Sequence, residues 1–272
     1  MAATTIPANL AVPQRSLGSM AWLFAKEAKY EIVKNVRIPI YAISTIVFPL
    51  MFYILFAIVL GPGNAVTRSE TATYMLATLG TFGVMGVSLF GFGVSIAMER
   101  GQGWLQVKRA SPMPLAAYFT AKLVSAMAFS AAIAMLLMVL GYAFGNVRLN
   151  VVQAAELVGT LMLAAIPFGS MGLALGYIAK PNSAPALVNL IYLPMSFCSG
   201  LWIPIFLLPR ILQNVARVLP PFHISQLALR ALGMSRDTAS IGSHVQALVG
   251  FTLLFLGIAV VLYRRDEGQL YG

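Results

Sequence analysis

Few side chains in this 272-residue sequence could do covalent chemistry, and none of them is grouped for it. The only two histidines, His223 and His244, have no carboxylate or cysteine at metal-ligand spacing, so each reads as a structural or interfacial residue. The single cysteine, Cys198, lies inside an apolar run and reads as a small buried hydrophobe. Glu70 and Glu156 border apolar runs, which suits interfacial residues better than intramembrane proton carriers. No pair of groups is placed for general acid and base work. A Gly-x-x-x-x-Gly-Lys-Ser/Thr loop is missing, so the chain has no phosphate cradle for ATP. The expectation is a protein with no catalytic residue, no metal and no cofactor of its own.

Mechanical work is a better fit to the polar strings that do occur. The first is Glu99-Arg100-Gly101-Gln102-Gly103-Trp104-Leu105-Gln106-Val107-Lys108-Arg109-Ala110-Ser111-Pro112. Transmitting force needs a short rigid element with both polar and apolar contacts to a moving partner. Leu105, Arg109 and Pro112 bracket such a helix, and Pro112 and Pro114 stop it. An ordinary basic loop would explain Arg100, Lys108 and Arg109, but not the whole ordered string. In the second string, Ser199 to Arg230, Arg210, Gln213, Asn214 and Arg217 recur at helical spacing. They predict a helix that Pro209 starts and Pro220-Pro221 ends, about ten residues and roughly 15 Å long, too short to cross a bilayer. A second short helix from about Ser225 to Leu232 ends at Gly233. The pair predicts a re-entrant or interfacial hairpin, with Gly200, Pro204, Pro209, Arg210, Arg217 and Pro220 as its marker residues.

These strings must be held by apolar elements. Six runs carry no Asp, Glu, Lys or Arg: Ile38 to Thr67, Thr71 to Met98, Leu123 to Val147, Leu157 to Ala179, Pro181 to Pro209 and Thr238 to Tyr263. Each can supply the roughly 20 apolar residues of a membrane-crossing helix. With 59% hydrophobic and 10% charged residues and a mean hydropathy of +0.84, a soluble domain would lack polar surface. The fold class expected is therefore an all-α polytopic membrane protein with six transmembrane helices.

Ahead of the first run, Leu17, Ala21, Phe24, Ala25, Ala28 and Ile32 fall within about a 100° arc, while Lys26, Glu27, Lys29, Glu31 and Lys34 occupy the rest. The pattern predicts an interfacial amphipathic helix over residues 17–36, marked by Phe24, Lys26, Glu27 and Glu31, with a plain solvated helix leading into the membrane as the competing reading and a lever that a cytoplasmic partner could push as the sharper one. Residues 1–16 read as a polar tail and not a signal peptide, 37–263 as the membrane domain and 264–272 as a second tail. Placing both termini in the cytoplasm puts twelve of the eighteen Lys and Arg residues inside. The net charge of +10 is then a topology signal and not a nucleic-acid footprint.

Gly80, Gly83, Gly86, Gly91 and Gly93 in the second run let neighbouring helices approach closely or slide. Pro39, Pro49, Pro167 and Pro194 can kink their spans. Phe48, Met51, Phe82, Met85, Asn189, Tyr192 and Phe197 lie on the first, second and fifth runs and read as packing or lipid-facing surface; under the resemblance given next they are instead candidates for a transport path, since apolar walls with few polar groups suit amphiphilic ligands.

In the first string Glu99, Arg100, Gly103, Leu105, Ser111 and Pro112, and in the second Ser199, Gly200, Pro204, Leu208, Pro209, Leu219, Pro220, Leu229 and Arg230, fit one pattern. With the leading amphipathic helix and the six runs, the sequence resembles the ABC type-2 transporter permease family along nearly its whole length. Trp104 stands where the family has a small hydroxyl residue, and Gln102 and Gln106 where it has charged ones. The resemblance implies a permease subunit of a bacterial inner-membrane ATP-driven exporter. It implies pairing with a second copy or a paralogous permease, and docking of a separate ATPase subunit that binds ATP and Mg. The seat for that subunit would be Glu99 to Pro112, including Lys108 and Arg109, with the leading helix. Small outer loops favour a lipophilic drug, antibiotic or lipid as cargo. A polysaccharide or glycolipid exporter of the same architecture is the alternative, and a secondary transporter or channel a more distant one.

Overall fold

The computed structural model describes residues 17–62, 64–110 and 113–268. The expected tail 1–16 and the last residues of the chain lie outside them. Among the described residues the fold is helical throughout, with no strand.

A 21-residue helix, α1 (Leu17–Arg37), leads in. The next helix, α2 (Pro39–Tyr53), opens on a proline, whose missing N–H is unneeded in a first turn, and carries Pro49 inside it. It passes into a π turn, π1 (Ile54–Val59). Asn64 then caps α3 (Ala65–Ser88), its side chain accepting from the Val66 N–H at 3.0 Å. That helix runs through a second π turn, π2 (Leu89–Val94), into α4 (Ser95–Gly101). Wider turns leave carbonyls to be met, and side chains meet them here: Arg68 Nη2 donates to Ile58 O at 2.6 Å, and Tyr41 Oη to Val87 O at 3.2 Å. After the short α5 (Trp104–Ala110) come α6 (Leu115–Phe144), α7 (Val151–Leu163) and α8 (Ala165–Ile178). A capping box between Asn150 and Gln153 starts α7.

Among the described residues, five helical stretches are long and apolar enough to cross a membrane: Tyr41–Val59, Ala65–Gly101, Leu115–Phe144, Val151–Ile178 and Ile241–Arg265. The second is 37 residues long. At 1.5 Å per residue it reaches about 55 Å, well past a hydrocarbon core of about 30 Å. Its start at Ala65, ahead of the expected Thr71, is possible because Arg68 is bonded to π1 and Glu70 is exposed.

Of the six apolar runs, Pro181 to Pro209 alone lacks a helix of spanning length. It holds a 3-10 turn (Pro181–Ser183), the 15-residue α9 (Ala184–Cys198) and a second 3-10 turn (Ile205–Leu207). This segment runs antiparallel to α3–π2–α4. Pro181 packs on Gly101, Val188 on Gly93 and the Tyr192 hydroxyl on Gly86; the Trp202 ring packs on Phe82. Ile205 and Tyr74 line one cavity.

The hairpin is α10 (Arg210–Ala216) and α11 (Pro220–Ala231). Two sequence expectations need correction here. The first helix has seven residues instead of about ten, and the second begins at Pro220 rather than Ser225. Pro220-Pro221 therefore opens a helix as well as closing one, because a first turn has spare N–H groups anyway. The expected end at Gly233 holds: its φ is +70°, and the Met234 N–H reaches Leu229 O at 2.8 Å, a glycine stop. The long α12 (Ile241–Gly268) closes the chain, resting mainly on α8 and α11.

The core lies around α3. Leu76, Leu79, Phe82, Met85 and Leu89 are wholly buried against Ile133 and Leu137 of α6, Leu157 and Leu161 of α7 and Phe168 of α8. Each glycine singled out in the sequence receives a different neighbour: Leu161 on Gly80, Ile133 and Pro49 on Gly83, Tyr192 on Gly86, Tyr41 on Gly91, Val188 on Gly93. Close packing is their role in this conformation.

Candidate functional site

Lys122 is the one charged residue of α6, and it is 3% exposed. An ammonium in such a place needs oxygen partners for its three N–H bonds. It has three: Glu31 Oε1 at 2.9 Å, Ser95 Oγ at 2.8 Å and Glu99 Oε1 at 3.1 Å. Lys34 joins the same carboxylates, reaching Glu99 at 2.8 Å and Glu31 at 2.9 Å. The Tyr118 hydroxyl donates to the other oxygen of Glu99 at 2.5 Å. Asn35 bonds Ser125 at 3.0 Å one turn deeper. Two carboxylates and two ammonium groups thus form a neutral, largely buried cluster that ties α1, α4 and α6 together.

Outside the membrane-spanning stretches, the field of this cluster is visible on Glu31 and Lys34. Burial pushes the Glu31 carboxyl up, but Lys122 and Lys34 outweigh it and hold it below its ordinary 4.5. Burial pushes Lys34 down, and Glu99 and Glu31 outweigh that, raising it above its ordinary 10.5.

A second tier connects α5. Gly103, with φ +75°, lets the chain turn sharply between α4 and α5. Leu105 is buried in the core. Lys108 pairs with Glu27 of α1 at 3.2 Å and sits 4.1 Å from the centre of the Tyr118 ring, which Lys122 approaches to 5.0 Å. Arg100 points the other way, donating to the Gly176 and Tyr177 carbonyls at the end of α8 at 2.9 and 3.1 Å. It borders a cavity of about 280 Å³ lined by Leu105, Gln106, Tyr177, Lys180 and Pro181. Facing away from the bundle are Trp104 and Val107 of α5, and Trp22 and Tyr30 of α1 with Lys26 over the Trp22 ring at 4.5 Å.

Of the residues the sequence singled out, Glu99, Arg100, Leu105 and Lys108 meet Glu27 and Glu31 in this one region, and Phe24 is half-buried nearby on α1. Arg109 lies on α5 with its side chain outside the described atoms, and Ser111 and Pro112 lie outside the described residues. Glu31 needs correction. The helical wheel put it on the polar side away from the bundle, whereas it is buried at 6% exposure, because α6 and α4 supply its counter-charges. Ser95 and Tyr118 escaped the sequence reading, Lys34 was placed only on the polar arc of the leading helix, and Lys122 only bounded an apolar run. The available signal was a lone lysine inside a 30-residue apolar helix, which must have a carboxylate partner somewhere.

In the second string, Gly200 adopts φ +75° and Pro220 is buried, while Arg210 and Arg217 are exposed. The path candidates divide. Phe82, Met85 and Tyr192 are core residues, with Phe82 stacked on Tyr192 at 4.7 Å. Phe48, Met51, Asn189 and Phe197 lie exposed on α2 and α9.

Long apolar helices, with a buried cluster of charged groups at one end beside a short turn-and-helix, define an integral membrane protein. The model of the ABC-2 type transporter family matches residues 27–232, and the chain belongs to that family. It is also 22% identical over 242 residues to "Putative transport permease YvfS" of Bacillus subtilis (strain 168), covering 89% of this chain and 97% of that one. The protein is thus a transmembrane subunit of an ABC transporter.

Proposed function

We propose that this chain is the membrane half of an ATP-driven exporter in a bacterial inner membrane, with six crossings and both termini in the cytoplasm. The observation that carries the reading is the buried cluster of Glu31, Lys34, Glu99 and Lys122, which joins α1, α4 and α6 at the end where α5 projects. Breaking one of its pairs would leave a charge buried without a partner, so this end moves as a unit. A separate ATPase, which holds ATP and Mg, seats on Trp104 and Val107 of α5 and on Trp22, Lys26 and Tyr30 of α1. Its closure pushes α5, and the shared charges carry that displacement into α4 and α6.

The sixth crossing is α9 with its flanking turns. Its antiparallel course from Gly101 to Tyr74 supports this, since it follows most of a helix already longer than the bilayer core. A second copy or a paralogous permease covers the exposed faces of α2 and α9, leaving Phe48, Met51, Asn189 and Phe197 on the path between them. The cargo is lipophilic: a drug, an antibiotic or a lipid. Short connections such as residues 145–150 support this by leaving no room for an outer domain.

The deciding experiment co-expresses the chain with its neighbouring cassette ATPase and reconstitutes both in vesicles. Wild type is expected to copurify and to move cargo as ATP is hydrolysed. Glu99→Ala is expected to keep the complex while losing transport per ATP. Failure of any cassette ATPase to associate would overturn the reading in favour of a self-contained transporter.

A further inference from the structure

The cavity between Tyr74 and Ile205 has a volume of about 240 Å³. Its wall carries Arg217, just after α10, Arg236, on the strap from α11 to α12, and the amides of Gln213 and Gln226. Tyr74 and Glu99 lie on one unbroken helical stretch, twenty-five residues apart, which is roughly 35 Å of helix. The hydrocarbon core of a bilayer is about 30 Å thick. With the charged cluster at one edge of that core, this cavity sits at the other, level with the lipid headgroups.

The charges in the wall do not balance. Arg236 lies over the Phe206 ring at 4.6 Å, a stacking that leaves the N–H edge of its guanidinium open. Among the described residues no oxygen bonds the guanidinium of either Arg217 or Arg236, whereas Arg230 nearby is committed to the Asp237 and Ala239 carbonyls. Asp237 is the one acid in the lining. One of its oxygens accepts the Ala239 N–H at 3.1 Å, and the other lies 3.4 Å from His244 Nε2. Glu70, one turn from Tyr74, is exposed and pairs with neither arginine. Two guanidinium groups thus face the cavity against a single carboxylate that is turned to its own strap.

Gln226 adds a donor. It is 4% exposed, and its Oε1 accepts the Ser235 hydroxyl at 3.3 Å. Its Nε2 has no partner among the described residues. Buried polar groups are hydrogen-bonded as a rule, so an open amide in this wall points to an acceptor that the cavity receives. The arginine beside it is well placed, since His223 Nε2 donates to the Arg217 carbonyl at 3.0 Å and fixes the end of α10.

The surroundings of the opening are apolar. While α10 turns Gln213 and Arg217 to the cavity, it exposes Ile211, Val215 and Val218 on another side. A short helix in water would expose the polar side, so hydrocarbon borders this one. Phe206 and Leu207 beside the opening are exposed as well.

We propose that this cavity binds the phosphate group of an anionic phospholipid. The phosphate oxygens accept from Arg217, Arg236 and Gln226 Nε2, and the acyl chains leave past Phe206 and Leu207. The planar fork of arginine matches two phosphate oxygens at once. The surplus positive charge favours a head with a net negative charge over a zwitterionic one, whose ammonium would be brought beside the same arginines. Because Arg217 belongs to the hairpin, Arg236 to the strap and Tyr74 to α3, one bound head bridges all three.

The test is calorimetric titration of the full chain, stripped of lipid in a neutral detergent, with dioctanoyl phosphatidylglycerol. One molecule should bind per chain, at least about tenfold tighter than dioctanoyl phosphatidylcholine or glycerol 3-phosphate. Arg217→Gln with Arg236→Gln should weaken binding at least about tenfold, and Gln226→Leu severalfold. Arg210→Gln, on α10 but off the cavity, should change it less than about twofold. The melting midpoint of the arginine variants without lipid should stay in place, since neither guanidinium has a partner to lose; should the double variant melt lower, Arg236→Gln alone is read instead. Equal affinity for the phosphatidylcholine would overturn the proposal. Equal affinity for glycerol 3-phosphate would make this a site for free phosphates and not for lipid, and a matching loss in Arg210→Gln would reduce it to diffuse surface charge. The titration uses no ATPase, so its outcome is separate from that of the exporter experiment.

Discussion

Lys122 has three hydrogens to donate and three oxygens to receive them, so its replacement is the sharpest test of the charged cluster. Lys122→Met leaves Glu31 and Glu99 buried with only Lys34 between them and should cost about 3–5 kcal/mol, read as a lowered midpoint of thermal unfolding in detergent. Adding Glu31→Gln to it should recover part of that loss, since one uncompensated charge goes as well. The pH response follows from the two groups outside the spans. Glu31 is held below 4.5, so its contribution is complete above that value and is lost as pH falls through its lower folded value. Lys34 is held above 10.5, so its contribution is complete below that value and is lost as pH rises through its higher folded one. Melting midpoints should thus be steady between these limits, and Glu31→Gln should flatten the acid limb. The order of residues from Glu99 to Lys108 was readable in the sequence, but the inward turn of Glu31 was not. A helical wheel weighs one segment at a time and has no access to an ammonium ninety-one positions away.

Among elements, α8 approaches π2 closely through Gly172. A methyl group on Gly172 would lie 2.9 Å from the Ser88 carbonyl oxygen and 2.9 Å from Phe92 Cβ, whereas one on Gly159 of α7 would meet nothing within 4 Å. Gly172→Ala should therefore destabilise by about 1–3 kcal/mol. Gly159→Ala should be neutral, or stabilising by up to about 1 kcal/mol through helix propensity. Thermal unfolding of the two variants side by side checks both. Helix type was largely evident from the charge-free runs, because a lipid-facing helix must be apolar over its length, whereas of the six runs five hold a stretch of spanning length and the fifth run holds only the 15-residue α9. Ends were less evident. Proline-proline before Phe222 fits either the end of one helix or the start of the next, and Lys122 stood as a boundary only while its partners were unknown.

Across the whole molecule, polar and apolar surface separate by position. The last helix packs one side on α8 and α11 and exposes the other along its apolar length, with Leu253, Leu254, Val260 and Val261 outward, a surface that suits lipid. At the charged end, Trp104 and Val107 are exposed instead beside Lys108 and Glu27. Changing both, Trp104→Ala with Val107→Ser, should weaken copurification of the cassette ATPase at least tenfold while leaving the melting midpoint of the permease in place, because neither side chain supports the core. A matching drop in stability would assign the pair to folding instead.

The π turn at Leu89–Val94 also bears on what chain lengths this architecture tolerates. A π turn holds a residue that an α-helix does not need. Deleting Gly91 would let the helix run on as α with Glu99 still facing Lys122. The same deletion in α6, which has no such slack, would swing everything beyond it by about 100°. Relatives one residue shorter between Ser88 and Ser95 should therefore keep the charged cluster intact, and a single-residue gap there marks a straightened helix rather than a lost contact.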